Sequence, residues 1–183
     1  IIIYYLNTKA KKVRKAHLTQ REKDLVSLQK IIRLFCPRAS NLIGMKPMGG
    51  KIFIDTNILI YYFKVKQEQR KILSTNLIHE HIEDIILSTQ VLGELFNVMR
   101  KKGNDRDICS AIVEECIHIF PISEIRKQHV SKALSINNKY GYSYYDSLIV
   151  ASALEAGCDI LYTEDMQHNH LIEDKLRILN PFV

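Results

Sequence analysis

From Lys51 onward, short apolar runs alternate with longer segments in which apolar residues recur at helical spacing. The runs KIFID, DIILST, HIFPIS, DILYT and RILNPF are rich in β-branched and apolar residues, which predicts five strands. The segments between them have the helical pattern, and glycines such as Gly141 and Gly157 mark helix ends. Strands that alternate with helices predict an α/β fold whose parallel sheet is covered on both faces.

The first 47 residues differ from this pattern. They contain the basic run AKKVRKAH and a capping box at TQRE before apolar residues at helical spacing, and they end near the pair Gly49–Gly50. We therefore divide the chain into a leader, 1–47, and a main domain, 48–183. We favour the interpretation that residues 1–44 are non-native, lying upstream of the true start or belonging to a fused or flexible extension. The alternative is an accessory helix that binds RNA phosphates or a partner.

The net charge of +6 belongs to the leader and not to the main domain. Residues 1–47 contain 11 Lys and Arg against two acids, a net of +9. The remaining residues contain 15 basic and 18 acidic side chains, a net of −3. The main domain is therefore not a basic nucleic-acid-binding module of the usual kind.

The composition is ordinary for a soluble globular protein. Apolar residues make up 46% and charged residues 25%, and no apolar run approaches the length of a membrane span. No signal-peptide pattern is present at the start of the sequence. The four cysteines form no C-x-x-C pair, so we expect buried, reduced thiols and a cytoplasmic location.

Four acids stand where a parallel sheet gathers functional groups, which is outside the carboxyl ends of its strands. Asp55 ends the first predicted strand, and Glu94 lies near the start of the helix after the second. Asp146 opens a largely apolar helix, and Asp165 follows the strand DILYT. Each acid alone is explained at least as well by helix capping, a helix dipole or a solvated loop. The set is better explained as one site.

Carboxylates brought together repel one another unless a cation neutralises them. Mg²⁺ and Mn²⁺ favour carboxylate and water ligands, and such ions promote phosphodiester hydrolysis by activating water and stabilising the leaving oxygen. The spacing of the acids therefore predicts a divalent-metal site. No P-loop, dinucleotide-binding or G-x-S-x-G motif offers a competing chemistry.

Four ordered motifs then resemble the PIN-domain ribonucleases, and most closely the VapC-like toxins of bacterial type II toxin–antitoxin systems. The motifs are FIDTN, LSTQVLGELFNV, SYYDSLIVASALEAGC and ILYTEDMQH, and the likeness covers about residues 51–182. The resemblance implies a three-layer α/β/α sandwich with a parallel five-stranded sheet. The leader, residues 1–47, has no counterpart in that family.

The same resemblance assigns roles to particular residues. It implies that Asp55, Glu94, Asp146 and Asp165 are catalytic and bind the metal, with Glu164 as the fallback for the fourth acid. It implies that polar neighbours orient the carboxylates, water or metal, namely Thr56, Asn57, Ser143 and Thr163. Tyrosines could stack bases, although we expect several in core or dimer contacts; they are Tyr61, Tyr62, Tyr142, Tyr144 and Tyr145.

The predicted function is that of a Mg²⁺- or Mn²⁺-dependent endoribonuclease, the toxin of a toxin–antitoxin pair. The partners that the resemblance implies are an RNA substrate, an inhibitory antitoxin protein and a second copy of the chain in a homodimer, with no membrane. Two alternatives stay open. One is a PIN nuclease for RNA processing or for DNA, and the other is a regulatory module of this fold that binds RNA or protein without cleaving.

Overall fold

The computed structural model describes residues 50–63 and 69–183. The leader and the proposed boundary at residue 48 lie outside these residues, so the division of the chain stays a prediction. None of the helices in the described part of the chain combines the length and apolar character that a bilayer span requires.

Six helices and six strands make up the described residues. The helices are α1 Thr56–Tyr62, α2 Gln69–His81, α3 Thr89–Lys101, α4 Arg106–Ile119, α5 Lys127–Tyr140 and α6 Tyr144–Glu155. The strands are β1 Ile52–Ile54, β2 Ile85–Ser88, β3 Ile122–Ser123, β4 Ile160–Tyr162, β5 Leu171–Ile172 and β6 Leu176–Leu179. Within the described residues, the helices predicted between the strands and the five predicted strands are present, and most of the strands are shorter than the apolar runs that predict them.

The strands form one sheet in the order β3-β2-β1-β4-β6-β5. The first five in this order pair in parallel, as predicted, and helices flank the sheet. The sixth strand, β5, was not predicted and pairs antiparallel to β6 at one edge. It is only two residues long, and the turn that joins it to β6 contains Glu173 and Asp174 at positive φ in place of the usual glycine or asparagine.

The core forms around the central strands, where an apolar run replaces the usual alternation. All three residues of β1 are buried, because β1 has paired neighbours on both sides and helices over the sheet. Helix α6 is buried along Ser147–Ala153, which explains why its sequence lacks a polar face. The three cysteines in the described residues are free and buried, as predicted: Cys109, Cys116 and Cys158.

The sheet order determines where the functional edge lies. Strands β1 and β4 are parallel neighbours at the centre, so the residues that follow them emerge side by side. The backbone N–H of Asp55 donates to the carbonyl oxygen of Tyr162 at 3.0 Å, which links the two chain segments at that edge. Helix α3 begins directly after β2 on the other side of β1.

Candidate active site

The four predicted acids line one pocket at the carboxyl ends of the central strands. The pocket has a volume of about 260 Å³, and its walls include Asp55, Glu94, Asp146 and Asp165. Segments up to 110 residues apart in sequence meet there. Within the residues that the structure describes, none of these four carboxylates forms an ion pair. They are held by neutral hydrogen-bond donors.

Asp55 is the most buried of the four acids, with only 4% of its surface exposed. It is the N-cap of α1, and one carboxylate oxygen accepts a hydrogen bond of 2.6 Å from the backbone N–H of Thr56. The pKa of the Asp55 carboxyl is raised to about 7: burial is the main cause and the charges of Glu94 and Asp165 add to the rise, while hydrogen bonds from Thr163 and Thr56 oppose it. The capping role is therefore real, but a cap alone does not require a carboxylate buried beside two others.

Asn57 and Thr163 connect Asp55 to Asp165. The Thr163 hydroxyl donates to Asp55 Oδ2 at 2.6 Å. The Asn57 amide nitrogen lies 3.2 Å from the same Asp55 oxygen and 3.0 Å from Asp165 Oδ2, so it bridges the two carboxylates. Because both donors are neutral, they fix the positions of the two acids without forming an ion pair with either.

Glu94 projects into the pocket from the second turn of α3 and is held at both oxygens. The Thr56 hydroxyl donates to Oε2 at 3.0 Å, and the Gln90 amide nitrogen donates to Oε1 at 2.8 Å. Sequence reasoning missed Gln90, although its place one helical turn before Glu94 was a usable signal. The same Gln90 nitrogen lies 3.2 Å from the backbone oxygen of Tyr145, which ties α3 to the start of α6.

Asp146 is positioned by the N-terminus of α6. Ser143 is the N-cap of that helix, and its hydroxyl accepts from the backbone N–H of Asp146 at 3.2 Å while donating to Asp146 Oδ2 at 2.7 Å. The serine thus fixes the first turn of the helix and the carboxylate together. All four predicted orienting residues contact one of the four acids, and their functional roles stay predictions.

Glu164 lines the same pocket but has a different environment from its neighbour Asp165. Its carboxylate forms an ion pair with Arg70, and it accepts a hydrogen bond of 2.8 Å from the Tyr61 hydroxyl. The Arg70 guanidinium also lies 5.2 Å from the centre of the Tyr61 ring and 5.3 Å from that of Phe182. This arrangement compensates Glu164 and favours Asp165 as the fourth acid of the site.

The residues present fit a hard divalent cation. The four carboxylates are oxygen donors of the kind that Mg²⁺ and Mn²⁺ prefer. The buried Oδ1 of Asn57 has no hydrogen-bond partner among the described residues, which leaves an additional oxygen acceptor beside Asp55 and Asp165. In the same part of the chain no three His, Cys, Asp or Glu side chains are gathered closely enough to hold an ion.

Several solved structures share this fold at low sequence identity. A toxin–antitoxin complex from Klebsiella pneumoniae aligns with a TM-score of 0.57 and 17% identity over 72% of this chain and 98% of that one. DNA-bound VapBC from Salmonella typhimurium aligns at 0.54 and 21% over 72% and 98%. Mycobacterium tuberculosis VapC20, a toxin that cleaves the sarcin-ricin loop, aligns at 0.54 and 17% over 63% and 92%. Identities this low establish the fold alone.

The comparison of sequences is more specific. Among curated proteins, the chain has no significant match. The PIN domain family matches residues 52–172, which include all four acids, β1 and the helices that carry Glu94 and Asp146. This match covers more than half of the chain and agrees with the motifs and the fold. The chain belongs to the PIN-domain family.

Proposed function

We propose that this domain is a divalent-metal-dependent endoribonuclease that hydrolyses RNA phosphodiester bonds as the toxin of a toxin–antitoxin pair. The observation that carries the proposal is the pocket in which four carboxylates, brought together from distant segments, accept hydrogen bonds from neutral donors and form no ion pair among the described residues. In a protein that used these acids only for helix capping, there would be no reason to place them around one pocket.

In this proposal the four acids bind the metal and their neutral neighbours position the acids. Asp55, Glu94, Asp146 and Asp165 would hold Mg²⁺ or Mn²⁺. When bound, such an ion supplies charge neutralisation at the phosphate and lowers the pKa of coordinated water. Asn57 and Thr163 hold the buried Asp55 and the more exposed Asp165 in a fixed relation. Thr56 and Gln90 do the same for Glu94, and Ser143 for Asp146.

The comparisons and the resemblance support the partners in this proposal. The structural neighbours include toxin–antitoxin complexes, and this supports a small antitoxin protein that blocks the pocket. VapC20 is described by the RNA element that it cleaves, and this supports RNA as the substrate class here. A homodimer and a cytoplasmic location complete the proposal as expectations from the family.

The test is cleavage of a labelled RNA by the purified protein in Mg²⁺, with and without a chelator, for the wild type and Asp55→Ala. We expect cleavage only by the wild type with metal. Glu173→Ala is the matched control, because Glu173 is an acid on the β5–β6 turn, outside the pocket, and should leave cleavage unchanged. Undiminished cleavage by Asp55→Ala, or in chelator, would contradict the proposed site.

One observation favours a second candidate, a module that binds RNA or protein without cleaving it. No ligand group for an ion is already gathered among the described residues. Titration calorimetry with Mn²⁺ separates the two functions. A nuclease site should show metal affinity that Asp165→Asn weakens, whereas a non-catalytic module should show no affinity that depends on these carboxylates.

A further inference from the structure

Hydrogen bonds link the four pocket acids in a row that leaves one gap. Asp165 is linked to Asp55 by side-chain donors, Asp55 to Glu94 by one threonine, and Glu94 to the start of α6 by one glutamine. The carboxylate of Asp146, in the first turn of α6, accepts a hydrogen bond only from Ser143 among the described residues. The spacing between Asp146 and Asp165, at the open ends of the row, therefore depends on a contact outside the pocket.

Tyr142 and His170 span this gap, although neither lines the pocket. Tyr142 directly precedes Ser143, the N-cap residue that holds Asp146. Its side chain is half-buried, and its hydroxyl shares a hydrogen bond of 2.6 Å with Nδ1 of His170. His170 stands at the end of the loop that Asp165 begins. The bond therefore joins the two chain segments that carry these two acids.

Both ends of this link are attached to regular elements. The carbonyl oxygen of Tyr142 accepts a hydrogen bond of 2.6 Å from the side-chain amide of Asn137, in the last turn of α5. The carbonyl oxygen of His170 accepts one of 2.8 Å from the backbone N–H of Ile178, a buried residue of β6. Strand β6 is the parallel neighbour of β4, from which Asp165 emerges. The link thus connects the start of α6 to the part of the sheet that positions Asp165.

The Tyr142 hydroxyl contacts the Asp165 loop at a second point. Burial raises the pKa of this hydroxyl, a hydrogen bond from the backbone of Gln167 opposes the rise, and the charge of Asp146 adds to it. Gln167 is only two residues beyond Asp165 in the sequence. A tyrosine whose pKa is raised stays protonated near neutral pH, so the hydroxyl serves here as a hydrogen-bonding group.

We propose that Tyr142 and His170 are positioning residues for the metal site, because their hydrogen bond sets the separation of Asp146 from Asp165. A hard divalent cation such as Mg²⁺ demands near-ideal placement of its oxygen ligands, so a ligand that is free to drift weakens binding. Neither residue touches the ion in this proposal. The inference rests on the proposed function, since it takes the four acids as the metal ligands.

The test measures Mn²⁺ affinity by titration calorimetry and, separately, cleavage of a labelled RNA. Tyr142→Phe removes only the hydroxyl, and His170→Leu removes the nitrogen that it contacts. His170→Asn is the conservative variant, because its amide can occupy the place of Nδ1 and keep the bond. The matched control is Tyr140→Phe. The Tyr140 hydroxyl donates to the Glu173 carboxylate at 3.3 Å and accepts from the Glu173 backbone N–H at 3.1 Å, so it fastens the β5–β6 turn and not the Asp165 loop.

We expect Tyr142→Phe and His170→Leu each to weaken Mn²⁺ binding about tenfold, as groups that orient metal ligands commonly do. At limiting metal, kcat should fall with the affinity while KM for RNA changes by less than about twofold. The double variant should be no worse than either single variant, because the same bond is lost in all three. His170→Asn and Tyr140→Phe should bind Mn²⁺ as the wild type does.

A bond that served only to stabilise the fold would give a different result. Tyr142→Phe would then lower the melting temperature, as Tyr140→Phe does, while the folded protein kept the Mn²⁺ affinity of the wild type. That outcome would overturn the inference. Losses of affinity that add up in the double variant would also overturn it, because the two residues would then act separately.

The two measurements separate this inference from the proposed function. A loss of Mn²⁺ affinity in Tyr142→Phe, with no RNA cleavage by the wild type, would leave the positioning pair standing and remove the nuclease. Unchanged Mn²⁺ affinity in Tyr142→Phe, with cleavage by the wild type, would leave the nuclease standing and remove the pair. A wild-type protein that binds no Mn²⁺ would overturn both.

Discussion

The pocket and the β5–β6 turn hold their acids in opposite ways. In the turn, Glu173 accepts from the Lys139 ammonium at 2.9 Å, lies 3.8 Å from that of Lys132, and accepts from the Tyr140 hydroxyl at 3.3 Å. In the pocket, the four acids receive hydrogen bonds only from hydroxyl, amide and backbone groups. Acids that fasten one element to another form an ion pair, whereas the four pocket acids are positioned by neutral donors and form none among the described residues.

Glu164 shows that location in the pocket does not decide whether an acid forms an ion pair. It lies in the pocket, beside Asp165 in sequence, yet Arg70 compensates it in the manner of the turn. The ion pair fastens the segment after β4 to α2. The contrast between the ion-paired Glu164 and its neighbour Asp165 therefore predicts that the two acids have different roles. Substituting each of them in turn should show the difference.

The largest expected effect is the difference between Asp165→Asn and Glu164→Gln. Asp165→Asn removes a carboxylate that forms no ion pair among the described residues, and we expect RNA cleavage in Mg²⁺ to fall at least about a hundredfold, since even the groups that support metal ligands commonly matter that much. Glu164→Gln keeps the size of the side chain and loses only an ion pair, so cleavage should change by less than about threefold. Initial rates at saturating RNA measure both.

The reverse ranking, with Glu164→Gln the more damaging, would assign the fourth position to Glu164 and would require Arg70 to release it. Calorimetric Mn²⁺ titration of the same two proteins checks whether the loss of activity follows the loss of metal affinity. A stable, folded Asp165→Asn protein with unchanged metal affinity would remove Asp165 from the metal site.

The fold was largely predictable because its signals are local. A run such as KIFID is continuous in apolar residues because β1 is buried on both faces, and Gly141 ends α5 at a positive φ of 75° that few other residues adopt. The antiparallel strand β5 was missed because two residues carry no periodicity. Its turn also uses acidic residues where glycine or asparagine would have been a signal.

The convergence of the four acids on one pocket was predictable from the sequence, and their hydrogen-bond environments were less so. Asp55 and Asp165 follow strands directly, so the topology alone brings them together. The pairing of Glu164 with Arg70 joins residues 94 positions apart and depends on how α2 packs, which no spacing reveals. Tyr145 is 65% exposed. The sequence could not show this, because an aromatic residue inside an apolar helix pattern usually predicts a core position.

A smaller effect should appear in the pH dependence of stability. The pKa of Asp55 is about 7 in the folded protein and near 3.8 for an ordinary aspartate, so its contribution is fully present below about pH 4 and is lost as pH rises through 7. Asn cannot titrate. In chelator, the melting temperature of Asp55→Asn minus that of the wild type should therefore become more positive by several degrees between pH 4 and pH 8.

Metal should reverse this trend in the wild type, because a bound divalent cation stabilises the ionised carboxylate and the folded state with it. Thermal melts at pH 8 with and without Mg²⁺ measure the reversal, and Asp55→Asn should show little of it. A temperature difference between variant and wild type that stays constant across pH 4 to 8 would show that Asp55 titrates as an ordinary acid.

The smallest predicted effect concerns the stability that Glu173 contributes in the β5–β6 turn. Its pH dependence is opposite in sign to that of Asp55. The hydrogen bond from Lys139 is the main reason that the pKa of the Glu173 carboxyl lies below its usual range, and the charge of Lys132 adds to it. Its contribution to stability is therefore present above pH 4.5 and lost as pH falls through the lowered value.

Because the pair is solvent-exposed, Glu173→Gln should lower the melting temperature by about one degree or less at pH 7. The difference should vanish in acid and in molar salt, where the attraction is absent or screened, while RNA cleavage stays at the wild-type rate. An activity loss as large as that of Asp165→Asn would mean that a counter-charge does not mark an acid as structural.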